Sequence, residues 1–119
     1  MTRRTERVNE LLREEIANLL ASDLRDPRIG GMVSVTHVDV SPDLRKAYAY
    51  VSVFGTEEER ASTMAALDHA RPFLRRELSR RVSLRNTPDV SFIHDTSIER
   101  AQELTDLMRK TAEARGESL

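Results

Sequence analysis

From Ala47 to Phe54 the side chains alternate over eight positions, a pattern that no helix presents as one continuous face. The odd-numbered side chains are apolar and either small or branched (Ala47, Ala49, Val51 and Val53). The even-numbered side chains are aromatic or carry a hydroxyl group (Tyr48, Tyr50, Ser52 and Phe54). A period of two over this length is typical of a β-strand with two unlike faces. The fold must therefore contain a sheet.

A second strand is predicted immediately before this one. Residues 32–40 are rich in valine and threonine, but the valines occupy odd positions first and even positions from Val38 onward. A bulge near Thr36 or His37 is the simplest explanation, because one extra residue shifts the alternation. The intervening residues are typical of a turn, so we expect a hairpin (Ser41, Pro42, Asp43 and Leu44).

Helical patterns flank the hairpin. Apolar residues recur at intervals of three and four from about Thr5 to Ser22, which predicts an amphipathic helix interrupted at Asp26-Pro27-Arg28. After the hairpin, Thr56 and Glu59 form a capping box that opens a second helix.

The next helical stretch contains a proline. Pro72 lies in a pattern that stays helical through Val82, and its ring removes a backbone hydrogen bond, so a kink is predicted at Ala70, Arg71 and Pro72. A short strand follows at residues 90–94. A second capping box at residues 96–99 then opens a last helix, which we expect to fray beyond Ala112.

Composition limits the number of domains and the chemistry. With 119 residues, of which 39% are apolar, the chain is sufficient for one core, so we expect a single domain over residues 1–119, ordered at about 5–110 with a flexible tail at 113–119. No cysteine is present, which excludes disulfides and thiolate metal sites. No apolar run is long enough for a membrane span, and no signal peptide is evident, so we expect a cytoplasmic protein.

No set of residues in the sequence indicates catalysis. The three histidines (His37, His69 and His94) lack metal-ligand spacing, and neither a serine nucleophile elbow nor a phosphate-binding glycine loop occurs. We therefore expect no enzyme activity, no metal, no cofactor and no small-molecule substrate. A small hydrolase that uses His94 and Asp95 remains as an alternative.

Charge is distributed unevenly, although the net charge is only −1. The segment from Arg71 to Arg85 contains six arginines but only one acid, Glu77. On a helix whose buried stripe is Leu74, Leu78 and Val82, the side chains of Arg76 and Arg80 point to water and Arg75 flanks the stripe, whereas Arg81 points back toward it. Such a row of cations is suited to nucleic-acid phosphates. The alternative is an ordinary solvated helix face, and codon usage alone would also enrich arginine.

The aromatic side chains of the second strand have two interpretations. Tyr48, Tyr50 and Phe54 share one face and could stack on RNA bases. Because aromatic residues make up only 4% of the chain, packing against a neighbouring strand or the last helix is the preferred interpretation.

The predicted order is helix, strand, strand, helix, kinked helix, strand, with an additional C-terminal helix. It resembles the bacterial (type II) KH domain, an α+β RNA-binding module. Several strings in their order are similar to those of the ribosome-binding factor A family, and they extend from about Thr5 to Met108 (Arg7-Val8, Glu15-Ile16-Ala17, Asp26-Pro27-Arg28, Val40-Ser41-Pro42-Asp43-Leu44, Leu84-Arg85 with Pro88 and Phe92, and Asp95 with Ser97-Ile98).

The resemblance implies a non-enzymatic factor that binds the free 30S subunit and its 16S ribosomal RNA, assists late maturation and is associated with growth in the cold. An ordinary KH domain clamps RNA with a Gly-x-x-Gly loop, whereas this family has an Ala-x-Gly kink. Here the positions read Ala70-Arg71-Pro72. Proline keeps the bend but replaces the glycine that permits close backbone approach. The family pattern is basic at Arg75 and Arg85, and at Arg80 in some members.

These observations give one hypothesis and, besides the small hydrolase, one alternative. A monomer is expected to bind RNA phosphates without reading bases, through Arg75, Arg76, Arg80 and Arg85, extended by Arg45 and Lys46. The alternative is a protein-interaction module that binds a partner through its amphipathic last helix.

Overall fold

A computed structural model of the chain describes residues 3–23, 33–114 and 116. Its elements follow the predicted order, which confirms the α+β fold class. They are α1 (Arg3–Asn18), β1 (Val33–Val40), β2 (Lys46–Val53), α2 (Glu57–His69), α3 (Arg71–Arg81), β3 (Asp89–His94) and α4 (Ser97–Ala114).

The three strands form one sheet in the order β1-β2-β3. The predicted hairpin is confirmed, since β1 and β2 pair antiparallel, and the register shift between Val35 and His37 is the predicted bulge. Strand β3 pairs parallel to β2, with Phe92 beside Ala49. A parallel neighbour requires a long crossover connection, which α2 and α3 provide.

The core lies between one face of this sheet and helices α1, α2 and α3. The apolar side chains at the odd-numbered positions of β2 are buried. The predicted stripe of α3 is buried as well, and it consists of Leu74, Leu78 and Val82. Helix α1 contributes two side chains with no exposed surface, Leu12 and Ile16, and the residue that follows the helix, Leu19, is equally buried. The face of α3 opposite to Leu78 is consequently left to solvent, which is where the arginines lie.

The predicted kink is a break between two helices. Helix α2 begins with the predicted capping box, in which Thr56 Oγ1 accepts from the Glu59 amide, and it ends at His69. Ala70 forms the junction, and α3 starts at Arg71 with Pro72 in its first turn. A proline costs little there, because the first helical amides have no carbonyl partner in any case.

Several boundaries differ from the predictions, most of all those of the first and last helices. Helix α1 begins at Arg3 rather than Thr5, and after Asn18 it continues as a π-helical turn over Leu19–Asp23. Helix α4 extends to Ala114, two residues past the expected fraying point. The interruption predicted at Asp26-Pro27-Arg28 lies outside the described residues.

Asp95 ties the start of α4 to the sheet. Its Oδ2 accepts a 2.7 Å hydrogen bond from Thr36 Oγ1 at the β1 bulge, and its Oδ1 accepts from the Ser97 amide at 2.9 Å. The predicted capping box of Thr96 and Glu99 is a separate feature, and the side chain of Glu99 lies outside the described part. The bulge therefore helps to fix where the helix leaves the sheet.

The same two hydrogen bonds predict a pH dependence. The bonds from Thr36 and then Ser97 lower the pKa of Asp95 from its ordinary value of 3.8 to about 2. A lowered pKa stabilises the fold above about pH 4, and that contribution is lost as the pH falls toward 2. We expect the free energy of unfolding, measured with urea at each pH, to fall more steeply over this interval for the wild type than for Asp95→Asn. The same dependence on pH in both proteins would contradict the assignment of the two hydrogen bonds to Asp95.

The opposite face of the sheet remains partly uncovered. Tyr50 is half-buried, with its ring centroid 5.7 Å from that of His37 on the neighbouring strand. Tyr48 and Phe54 are exposed. Helix α4 does not bury its apolar stripe either, since its three largest members are more than half exposed (Leu104 58%, Leu107 61%, Met108 53%).

Candidate nucleic-acid interface

Four of the six clustered arginines line one groove of about 780 Å³. Arg71, Arg75 and Arg76 come from α3, and Arg85 comes from the loop between α3 and β3. We call this the arginine groove. It also contains acidic and uncharged polar side chains (Asp68, Ser79, Asn86, Thr87 and Asp89). A volume of this size is sufficient for a nucleotide.

Three arginines of the groove have no acidic partner in the part of the chain that the structure describes. Arg75, Arg76 and Arg85 are exposed, and no carboxylate of the described residues lies within ion-pair distance of their guanidinium groups. Three uncompensated charges of one sign repel one another, and an anion in the groove would relieve that repulsion. Each guanidinium group also presents its N–H donors in a planar arrangement that matches the oxygens of a phosphate.

Arg71 differs from these three because it is held by acids. Its Nη2 donates to Asp89 Oδ2 at 2.8 Å, and its Nη1 donates to Asp68 Oδ1 at 3.3 Å. The bond to Asp89, followed by that to Asp68, raises the pKa of Arg71 above its ordinary value. Since Asp68 belongs to α2 and Asp89 opens β3, this cluster fastens the helix junction to the sheet.

The remaining two arginines of the segment lie outside the groove. Arg80 is 76% exposed, and its Nη1 is 3.6 Å from Glu77 Oε1. Arg81 lies within 4.0 Å of both Glu77 and Glu15, so it connects α3 to α1. The structural interpretation of Arg81 agrees with this placement, whereas Arg80 is separated from the other predicted site residues.

A hollow of about 740 Å³ adjoins the arginine groove and shares Arg85 and Asn86 with it. Arg45 lines this hollow from the turn between β1 and β2. Asp43 Oδ1 orients that turn by accepting from Ser41 Oγ at 2.7 Å and from the Arg45 amide at 3.1 Å. The two depressions thus place Arg45 on the same side of the molecule as the groove.

Lys46 lies at the start of β2, opposite Asp89 in the register, and its side chain is exposed but lines neither depression. The structure therefore brings together four of the six predicted site residues, Arg75, Arg76, Arg85 and Arg45. Lys46 and Arg80 lie at the periphery.

The acids and amides of the groove were not identified from the sequence. Asp68, Asp89, Asn86 and Thr87 were not among the site residues predicted from the sequence, because neither the row of arginines nor the helical period selects them. Among the described residues no group of three or more histidines and carboxylates is arranged to hold a metal ion. No described helix is long and apolar enough to cross a membrane.

Comparisons with known proteins identify relatives along nearly the whole chain. The sequence profile of the family described as "Ribosome-binding factor A" matches residues 4–108. A protein of that name from Trichormus variabilis is 52% identical over 114 residues, covering 95% of this chain and 86% of the relative. One from Acetivibrio thermocellus is 45% identical over 109 residues, covering 92% and 89% respectively.

Solved structures agree with the sequence relatives. The crystal structure of ribosome-binding factor A from Thermus thermophilus matches with a TM-score of 0.67 and 29% identity, over 76% of this chain and 93% of that one. The solution structure of a Thermotoga maritima protein described as a putative ribosome binding factor A matches with a TM-score of 0.62 and 36% identity, over 77% and 91%.

A third match connects the fold to a ribosomal particle. It is a homology model of the Thermus thermophilus factor fitted into an electron cryo-microscopy map of its complex with the 30S subunit, with a TM-score of 0.60 and 29% identity over 74% of this chain and 91% of that one. The profile match and the extent of the sequence identities show that this chain belongs to the ribosome-binding factor A family.

Proposed function

We propose that this protein is a non-enzymatic assembly factor that binds the free 30S subunit through its 16S ribosomal RNA and assists late maturation of that subunit in the cytoplasm. The observation that carries the proposal is that three arginines of one groove, Arg75, Arg76 and Arg85, have no carboxylate partner among the residues described. The family membership and the relative fitted into a 30S complex supply the particle on which such a groove would act.

Binding would begin with phosphate neutralisation. Arg75 and Arg76 contact the RNA backbone from α3, and Arg85 contacts it from the loop between α3 and β3. Arg45 extends the contact into the adjoining hollow, while Arg80 and Lys46 add weaker, peripheral attraction. Each neutralised phosphate releases condensed cations, and that release drives association.

The helix junction sets the geometry of this contact. Ala70 is 8% exposed and packs in the core, so the backbone at the bend cannot move without disturbing it. Pro72 fixes the first turn of α3 and donates no amide hydrogen bond. At this junction the protein therefore offers arginine side chains, rather than a glycine backbone, to the RNA.

Co-sedimentation with ribosomal particles tests the proposal. The tagged protein should accompany free 30S particles and should be depleted from 50S and 70S particles. With about four phosphates neutralised, the affinity for 30S should fall with salt at a log–log slope of about −3 to −4. Equal recovery on all three particles, or a slope near zero, would contradict phosphate-driven binding to 30S.

A second candidate function is favoured by one observation, the exposed apolar stripe of α4, whose large members are Leu104, Leu107 and Met108. A helix of this kind is suited to an apolar groove on a partner protein. Such binding would respond weakly to salt, so the same titration separates the two functions.

A further inference from the structure

Two carboxylates lie in a groove that otherwise collects positive charge, and phosphate binding does not explain them. Asp68 and Asp89 both line the arginine groove beside Arg75 and Arg76. A carboxylate repels a phosphate, so in a site for phosphates alone these acids would weaken binding. Acids in a nucleic-acid site become favourable where they accept hydrogen bonds from base amino or imino groups.

The better-organised acid is Asp89. Its Oδ2 is held at 2.8 Å by Arg71 Nη2, and its side chain is 41% exposed, so one oxygen is fixed while the carboxylate still faces the groove. Asp68 is 73% exposed and is held at 3.3 Å. No other side-chain bond engages Asp89 within the described residues, so acceptor capacity remains for a ligand.

The Arg71–Asp89 pair offers one donor and two acceptors to a ligand. The remaining N–H of Arg71 Nη2 is the donor, and the two oxygens of Asp89 are the acceptors. The Watson–Crick edge of guanine carries the complementary set, which is the O6 acceptor with the N1–H and N2–H donors. Adenine, cytosine and uracil each carry a different set.

We propose that the arginine groove reads one unpaired guanine of its RNA, with the Arg71–Asp89 pair on the Watson–Crick edge of the base. This inference rests on the proposed function and deepens it, because it assigns the free arginines to the flanking phosphates and the acid-bound arginine to the base. An unpaired base is the form in which RNA sequence is usually read, since its edge is accessible only outside the helix.

Short single-stranded RNAs test the inference with the full-length protein. The probes are seven-residue oligouridines whose central base is guanine, inosine, adenine or cytosine, or remains uracil, and anisotropy measures their affinity at fixed salt. Inosine differs from guanine only by the missing N2 amino group. We expect guanine to bind about 10-fold more tightly than inosine, as for the loss of one specific base contact.

Two protein variants separate base reading from charge. Asp89→Asn should bind the all-uracil probe at least as tightly as the wild type, because one negative charge is lost, but its guanine-to-inosine ratio should fall to about one. Asp68→Asn removes the same charge in the same groove and should keep the ratio. A ratio that survives in Asp89→Asn, or is lost in Asp68→Asn alone, overturns the assignment.

The wild-type comparison does not depend on the folding of any variant. Equal affinity for the guanine and inosine probes overturns base reading, while salt-sensitive binding to 30S particles leaves the proposed function standing. Failure to bind any probe also overturns the inference. If 30S co-sedimentation is lost as well, the proposed function fails with it.

Discussion

Reversing two charges of the arginine groove, in the double variant Arg75→Glu and Arg85→Glu, is expected to lower the affinity for 30S particles by at least about 100-fold and to reduce the salt slope by about two. These side chains line one groove, from α3 and from the loop after it, and have no carboxylate partner within the described part of the chain. Their replacement therefore removes two phosphate contacts and adds two repulsive charges. Binding to 30S at several salt concentrations measures both effects.

Two arginines serve as controls for this experiment. Arg109→Glu changes the same charge on α4, where Arg109 lies 3.8 Å from Asp106, and it should leave the salt slope unchanged. Arg80→Glu tests the boundary of the site, because Arg80 shares α3 with Arg75 but lines neither depression. If Arg80→Glu lowers the affinity for 30S particles as much as Arg85→Glu alone does, the exposed face of α3, and not the groove, binds the RNA.

Truncating a buried leucine of α3 is expected to destabilise the whole fold. Leu78 has no exposed surface, so Leu78→Ala should lower the free energy of unfolding by about 3 kcal/mol through lost burial and the cavity left behind. The same change at Leu104, which is 58% exposed on α4, should cost less than about 0.5 kcal/mol. Urea unfolding of the two variants checks the contrast.

The comparison of these two leucines has a direct functional meaning. Leu78 holds α3 against the sheet, and the same helix presents Arg75 and Arg76 to the groove. Leu104 is 58% exposed on α4, so its apolar surface remains for a partner. A large destabilisation by Leu104→Ala would mean that α4 packs on the body of the protein in solution.

Much of the fold could be predicted because its signals are local. Alternation over residues 47–54 defines β2, and the shifted parity of the valines before it located the bulge between Val35 and His37. The break at Ala70 was predictable for the same reason, since a proline acts on its own turn whatever surrounds it. Periodicity also separated the buried Leu74 and Leu78 from the exposed Arg76.

Periodicity could not show whether an apolar stripe is covered. The pattern of α4 resembles that of α1, yet Leu12 is fully buried and Leu107 is 61% exposed. Both helices are amphipathic, and only the direction in which each leaves the sheet decides which one reaches the core. For α4 that direction involves Asp95, Thr36 and Ser97, of which Thr36 is remote in the sequence.

By itself, the sequence determined the element order, the bend before α3 and the basic character of that helix, because each depends on residues within a few positions of one another. The tertiary structure alone decided which arginines act together. Arg71 is neutralised by Asp89, which is 18 residues away in the sequence. Arg85 belongs to a loop, yet it lines the same groove as Arg75 and Arg76. Charges interact through space, and the distances that set their strength exist only once the helices and the sheet have packed.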